Sequence, residues 1–203
     1  HLQRGQHKKA ISCFERELSI SPDDLNTLCM QADACLKANL KDKAEGIYRE
    51  IIDINQNNFK ALHGMGEIYT QKGERDKANN EHGFAEENFS QAIDYFAKAF
   101  KADELDRAYF ERGLNSKEMG TLLYSNAYAK VMLYESQQGR NKNPRLLIDA
   151  KNDFTRIKNQ HKNSQNYYRA EAAIRKIVES LQPSQERTTK FGAKVIFAFS
   201  CVI

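Results

Sequence analysis

Residues 25–58, LNTLCMQADACLKANLKDKAEGIYREIIDINQNN, are followed at once by a second copy of their own pattern. Leu28 returns as Leu62, Ala32 as Gly66, Cys35 as Tyr69 and Asn39 as Gly73, each 34 residues further on. The same spacing runs backwards from Ala44 to Ala10, from Tyr48 to Phe14, from Ile52 to Leu18 and from Asn39 to Gly5. Ala44 also returns as Ala78. A fixed period of this length marks stacked helical hairpins that shelter one another's apolar faces, not a closed globular core. The expectation is an all-α solenoid of helix-turn-helix repeats.

Working outward, the composition suits long helices. There are three prolines and ten glycines in 203 residues, and charged residues make up 29%, an ordinary balance for a water-soluble chain. The net charge of +4 conceals an asymmetry. Residues 1–137 hold 18 Lys+Arg against 22 Asp+Glu, and residues 138–203 hold 13 against 5. Opposite fields at the two ends bear on partner choice and encounter rate more than on fold. Cys13, Cys29, Cys35 and Cys201 form no C-x-x-C pair, and the first three sit at apolar helix positions. Buried free thiols in a reducing cytoplasm are expected. Gly5 already lies halfway through a repeat, so the chain reads as a fragment whose first helix is missing.

The repeated residues carry a family likeness. Ala10, Phe14 and Pro22 close a first, partial unit; Leu28, Ala32, Cys35, Ala44 and Tyr48 mark a second; Leu62, Met65, Gly66, Tyr69, Gly73 and Ala78 mark a third. The pattern resembles the tetratricopeptide repeat, with its leucine and small residue, its tyrosine and its A-x3-F pair. Leu28 and Leu62 stand where that signature has tryptophan, and Gln56 where it has proline.

After Ala78 the register slips. The stretch NFSQAIDYFAKAF, residues 88–100, repeats the second-helix signature with Ala92, Phe96 and Ala99, and Ala92 lies 14 residues beyond Ala78. Either an insertion near 79–91 lengthens the hairpin, or its second helix breaks near Gly83 and restarts. The polar run Asn79-Asn80-Glu81-His82-Gly83 favours a loop or frayed helix. Residues 1–106 thus read as repeats, the first partial. Residues 107–182 read as two degenerate hairpins: a long helix over Met119–Gln138, a basic turn at Gly139, and a helix entered through Asn143 as cap and Pro144. That helix carries Leu147, Ala150, Phe154 and Ile157, and another is capped by Ser164. Residues 183–203 are a polar linker and a short apolar tail after Lys194. The tail is too short to span a bilayer. It could pack on the last hairpin, open a further domain, or begin a membrane segment flanked by Arg187, Lys190 and Lys194.

No catalytic constellation is present: there is no phosphate loop, no G-x-S-x-G, no H-E-x-x-H and no dinucleotide glycine fingerprint. The chain is read as no enzyme, without cofactor and without metal. His63 and Glu67 are four apart on one helix, but a metal needs at least one further ligand. Tyr124, Tyr128 and Tyr134 at helical spacing suit helix packing better than base stacking. Arg140, Lys142, Arg145, Lys151, Arg156, Lys158 and Lys162 form a basic set, read either as a solvated face or as a contact surface for an acidic protein, an anionic lipid surface or nucleic acid. No nucleic-acid motif accompanies it, so nucleic acid is not favoured.

The resemblance implies a right-handed superhelix whose first helices line a concave groove that takes a peptide or helix of another protein. Mapped onto this chain, the groove positions are Asn26, Cys29, Asp33, Leu36 and Lys37, then Lys60, His63, Glu67, Thr70 and Gln71. Members that clamp a chaperone's terminal carboxylate use lysine, arginine and asparagine where this chain has Cys29, Asp33, His63 and Glu67. The clamp is absent, and a neutral or basic segment suits Asp33 and Glu67 better. The leading expectation is a cytoplasmic scaffold of tetratricopeptide type. The alternative is a regulatory or sensory segment of a larger multidomain protein, packed on a neighbour through its basic end. A membrane-proximal adaptor using residues 187–203 ranks third. Self-association through an uncovered terminal repeat is also open to such a chain.

Overall fold

The computed structural model describes residues 2–110, 114–139, 142–161 and 166–181. The described residues form eight α-helices and no strand: α1 (Leu2–Leu18), α2 (Leu25–Lys37), α3 (Lys41–Ile54), α4 (Phe59–Ala78), α5 (His82–Phe110), α6 (Ser116–Ser136), α7 (Arg145–Gln160) and α8 (Tyr167–Leu181). The tail expected at 183–203 and the cap expected at Ser164 lie outside the described residues.

Apolar spacing explains which faces are buried. In α3, Ala44, Ile47, Tyr48 and Ile51 are buried, the three-and-four spacing of one helical face. Leu147, Ala150, Phe154 and Ile157 of α7 do the same. Helix α4 is buried on several sides, through Ala61, Leu62, Met65 and Ile68, because α2, α3, α5 and α6 all touch it. The main helix contacts join consecutive helices along the chain, with α4 also meeting α2 and α6. One buried cluster runs from Ile11 to Ile68 and another from Leu62 to Ile177; Ile52, Tyr69 and Tyr95 pack against both.

Helix starts follow local chemistry. Asp24 caps α2, accepting from the Asn26 N–H at 3.0 Å and the Thr27 hydroxyl at 2.7 Å. Asn58 caps α4 through the Ala61 N–H at 3.1 Å. Asn115 and Glu118 form a reciprocal capping box at α6, satisfying donors that a helix end leaves unpaired. Before α7, Asn143 accepts the Arg145 N–H at 3.1 Å, and Pro144 stands just ahead of the first helical residue, not inside it.

Of the two causes expected for the register slip after Ala78, a lengthened hairpin agrees with the structure and a helix broken near Gly83 does not. Helix α5 runs unbroken through Gly83, and only residues 79–81 separate it from α4. Gly73, which the period pairs with Asn39, and Ala78, which it pairs with Ala44, both belong to α4. The true counterpart of the Asn39 turn is Asn80: their φ values are 64° and 63°, the left-handed conformation that ends a helix. At each turn the next amide reaches back to close the cap, Leu40 to the Cys35 carbonyl and Glu81 to the Asp76 carbonyl, both at 2.8 Å. The 14 residues of the slip thus divide into about two helical turns in α4 and two in the antiparallel α5 ahead of Ala92, and α5 runs on to Phe110. Seven residues bring a helix nearly back to the same face, so the packing pattern survives the lengthening. Ala85-Phe89-Ala92 and Ala92-Phe96-Ala99 are accordingly both buried along α5.

Candidate functional site

Three open cavities among the described residues form a strip to which α2 and α4 through α8 contribute. Helix α6 is its spine. A cavity of about 400 Å³ beside the start of α6 is lined by Asp33, Phe59, Lys60, His63 and, from the far side, Leu114, Lys117, Glu118, Thr121 and Leu122. A smaller one, about 210 Å³, follows between α4 and α6, with Glu67, Thr70, Gln71, Glu74, Phe96, Tyr124, Ser125 and Tyr128. A third, about 430 Å³, lies between α6, α7 and α8, floored by Val131, Met132, Leu147 and Phe154 and edged by Glu135, Arg169 and Lys176. Tyr124 and Tyr128 border both the second and the third.

Hydrogen bonds and ring contacts set the shape of this trough. His63 Nε2 lies 3.3 Å from Ser125 Oγ, tying α4 to α6, and its ring sits 5.6 Å from that of Phe96. Tyr128 donates its hydroxyl to Glu74 at 2.7 Å. Burial, and then this bond to a carboxylate, hold the Tyr128 hydroxyl well above its ordinary pKa. Tyr124 and Tyr128 stack with centroids 6.4 Å apart and planes 7° from parallel, and Tyr124 meets Phe154 edge-on. At the α2 side, Tyr48 reaches from α3 to donate its hydroxyl to Asp33.

Six of the expected groove residues line these cavities: Asp33, Lys60 and His63 in the first, and Glu67, Thr70 and Gln71 in the second. Thr70 contributes little polarity, because its hydroxyl is spent on the Gly66 carbonyl at 2.9 Å. Asn26 and Lys37 are exposed at opposite ends of α2 but border none of the three cavities. Cys29 requires correction. It is 3% exposed, its thiol turned toward Asn58 Oδ1 at 3.8 Å, and burial pushes its pKa up to about 11. It packs α2 onto the start of α4 and lines none of the three cavities. Cys35 is buried as expected, whereas Cys13 is exposed, because α1 has only α2 as a substantial packing partner.

The basic set does not form one patch. Arg140 and Lys162 lie outside the described residues. Arg145 and Arg156 are exposed, eleven residues apart and so near one face of α7, while Lys151 and Lys158 share a different face. Lys158 is paired with Glu171 of α8 at 3.0 Å, and Lys142 lies 4.9 Å above the Tyr134 ring.

The residues sequence reasoning missed are on α6 and α8: Lys117, Glu118, Thr121, Ser125, Arg169 and Lys176, with Glu74 on the added turns of α4. Tyr124 and Tyr128 were visible as an aromatic stripe, yet they are half-buried trough walls and not closed core. Among the described residues no group of three or more His, Cys, Asp and Glu stands together, and no helix is long and apolar enough to cross a membrane. Comparison with protein-family models, curated proteins and solved structures finds no match to this chain. The tetratricopeptide likeness therefore rests on its residues alone.

Proposed function

We propose that this chain is a non-enzymatic, cytoplasmic scaffold, a right-handed solenoid of tetratricopeptide-like hairpins that holds a peptide or helix of another protein in its trough. One observation carries the reading: three open cavities lie in a row along α6, walled by α2 and α4 toward its start and by α7 and α8 toward its end. The contact pattern adds support, since consecutive helices pack on one another and the buried core is drawn out along the chain, as in a repeat array. A groove of this form takes an elongated segment, with affinity coming from a few buried side chains and register from polar ones.

Photo-crosslinking in cell extract tests it. A photoreactive residue at Gln71 or Thr121 is expected to capture a discrete partner through a short segment mapped by mass spectrometry, while one at Glu50 on α3 captures none. Equal capture from both faces, or capture from Glu50 alone, would move the binding surface elsewhere.

A further inference from the structure

The middle cavity differs from its neighbours in a way that names what enters it. The first cavity balances Asp33 and Glu118 against Lys60 and Lys117. The third has an apolar floor with Arg169 and Lys176 against a single carboxylate, Glu135, at its edge. The middle one carries two carboxylates, Glu67 and Glu74, and no lysine or arginine on its lining. Glu74 takes the Tyr128 hydroxyl at 2.7 Å, but a carboxylate has about four acceptor positions, so capacity remains. Glu67 stands 3.8 Å from His63 Nε2, too far for a hydrogen bond. The parallel rings of Tyr124 and Tyr128 form the opposite wall, and the electron-rich faces of such rings attract cations.

We infer that the middle cavity receives an arginine or lysine side chain of the segment bound in the trough, held between Glu67 and Glu74 on α4 and the Tyr124–Tyr128 wall of α6. The inference rests on the trough reading above and specifies it. Charge complementarity selects the residue: a guanidinium or ammonium is attracted by both carboxylates and lies against the rings, whereas an acidic side chain would add a third negative charge to theirs. The third cavity fixes the neighbour. The α6 residues that line it alone, Val131, Met132, Tyr134 and Glu135, are centred about seven residues beyond the α6 lining of the middle cavity, roughly 10 Å along the helix axis. A large apolar side chain of the partner thus follows or precedes the basic one at about three positions in an extended chain, or about seven in a helix.

Selection from a displayed library of random 16-residue peptides, using the full chain, tests this. Enriched sequences are expected to share one arginine or lysine at a constant spacing from a large apolar residue. A synthetic copy of such a peptide should bind roughly tenfold more weakly to the Glu67→Gln/Glu74→Gln variant and should lose affinity as salt rises. The glutamine carbonyl still accepts the Tyr128 hydroxyl, and circular dichroism checks that the variant is folded; Tyr124→Leu supplies an independent variant with the same expected loss. Enriched peptides without a constant basic residue, or unchanged binding in the double variant and in Tyr124→Leu, overturn the inference while leaving the trough as a docking surface. No enrichment by a monomeric chain removes the trough reading as well. A dimer by sedimentation that enriches nothing gives the trough to a second copy, which also overturns the inference.

Discussion

Three glycines of α4 matter through the methyl group they lack. A Cβ at Gly64 would sit inside the Tyr48 ring and one at Gly66 inside that of Phe96, while one at Gly73 would come within 2.8 Å of the Phe89 ring. Tyr48, Phe89 and Phe96 are fully buried, so none can swing aside cheaply. Gly66 and Gly73 are seven apart and meet Phe96 and Phe89, also seven apart, in the opposite order that antiparallel helices require. Helix propensity favours alanine over glycine by about 1 kcal/mol, so the sign of each substitution is decided by space. Gly66→Ala and Gly73→Ala are each expected to destabilise by about 1–3 kcal/mol in denaturant unfolding, whereas Gly46→Ala, with nothing within 4 Å, should stabilise by up to about 1 kcal/mol. A neutral Gly66→Ala would show that the helices do not approach this closely. By period alone Gly73 answers to Asn39, yet Asn39 ends a helix while Gly73 admits a neighbouring ring.

Between helices, a single carboxylate ties α3 to α4. Glu45 accepts from Lys72 of α4 at 2.7 Å and from Arg49 of its own helix at 2.8 Å. Burial alone would raise its pKa, but Lys72 and Arg49 outweigh burial and hold it below the ordinary value. A depressed folded pKa stabilises the protein above the unfolded value, about 4.3 for glutamate, and that stability is lost as pH falls through the folded value. The melting temperature of the wild-type chain is therefore expected to drop more between pH 5 and pH 3 than that of Glu45→Gln; parallel curves would remove this pair from the acid response. The faces of α3 and α7 were legible beforehand, since their apolar residues keep helical spacing with few exceptions. The lengths of α4 and α5 were not. Two added turns on each helix preserve the pattern, so the slip of 14 residues resembled an insertion placed in a loop.

Across the molecule, contacts are concentrated in the middle. Helix α4 touches α2, α3, α5 and α6, while α1 has α2 and α8 has α7 as their substantial partners. Where coupling runs between neighbours, ends open at lower free energy than the centre. Hydrogen exchange is expected to be slowest in α4 and the facing half of α5 and faster in α1 and α8, by at least tenfold. Uniform protection from α1 to α8 would mean that the chain unfolds as one unit. The trough belongs to this scale as well. Of the residues that the family resemblance implied for a groove, Asp33, Lys60, His63, Glu67, Thr70 and Gln71 line its α2 and α4 sides. Its α6 and α8 walls were not anticipated, because beyond Ala78 the period no longer counts positions for the reader.

Local chemistry written along the chain was enough for helicity and for the buried faces of α3 and α7, since each depends on residues within a few positions of one another. Where Cys29 points, how far α4 and α5 extend, and which carboxylates meet Tyr124 and Tyr128 depend on how separate helices come together. Those contacts join residues up to 62 positions apart, as His63 and Ser125 are, and only the folded arrangement makes them neighbours.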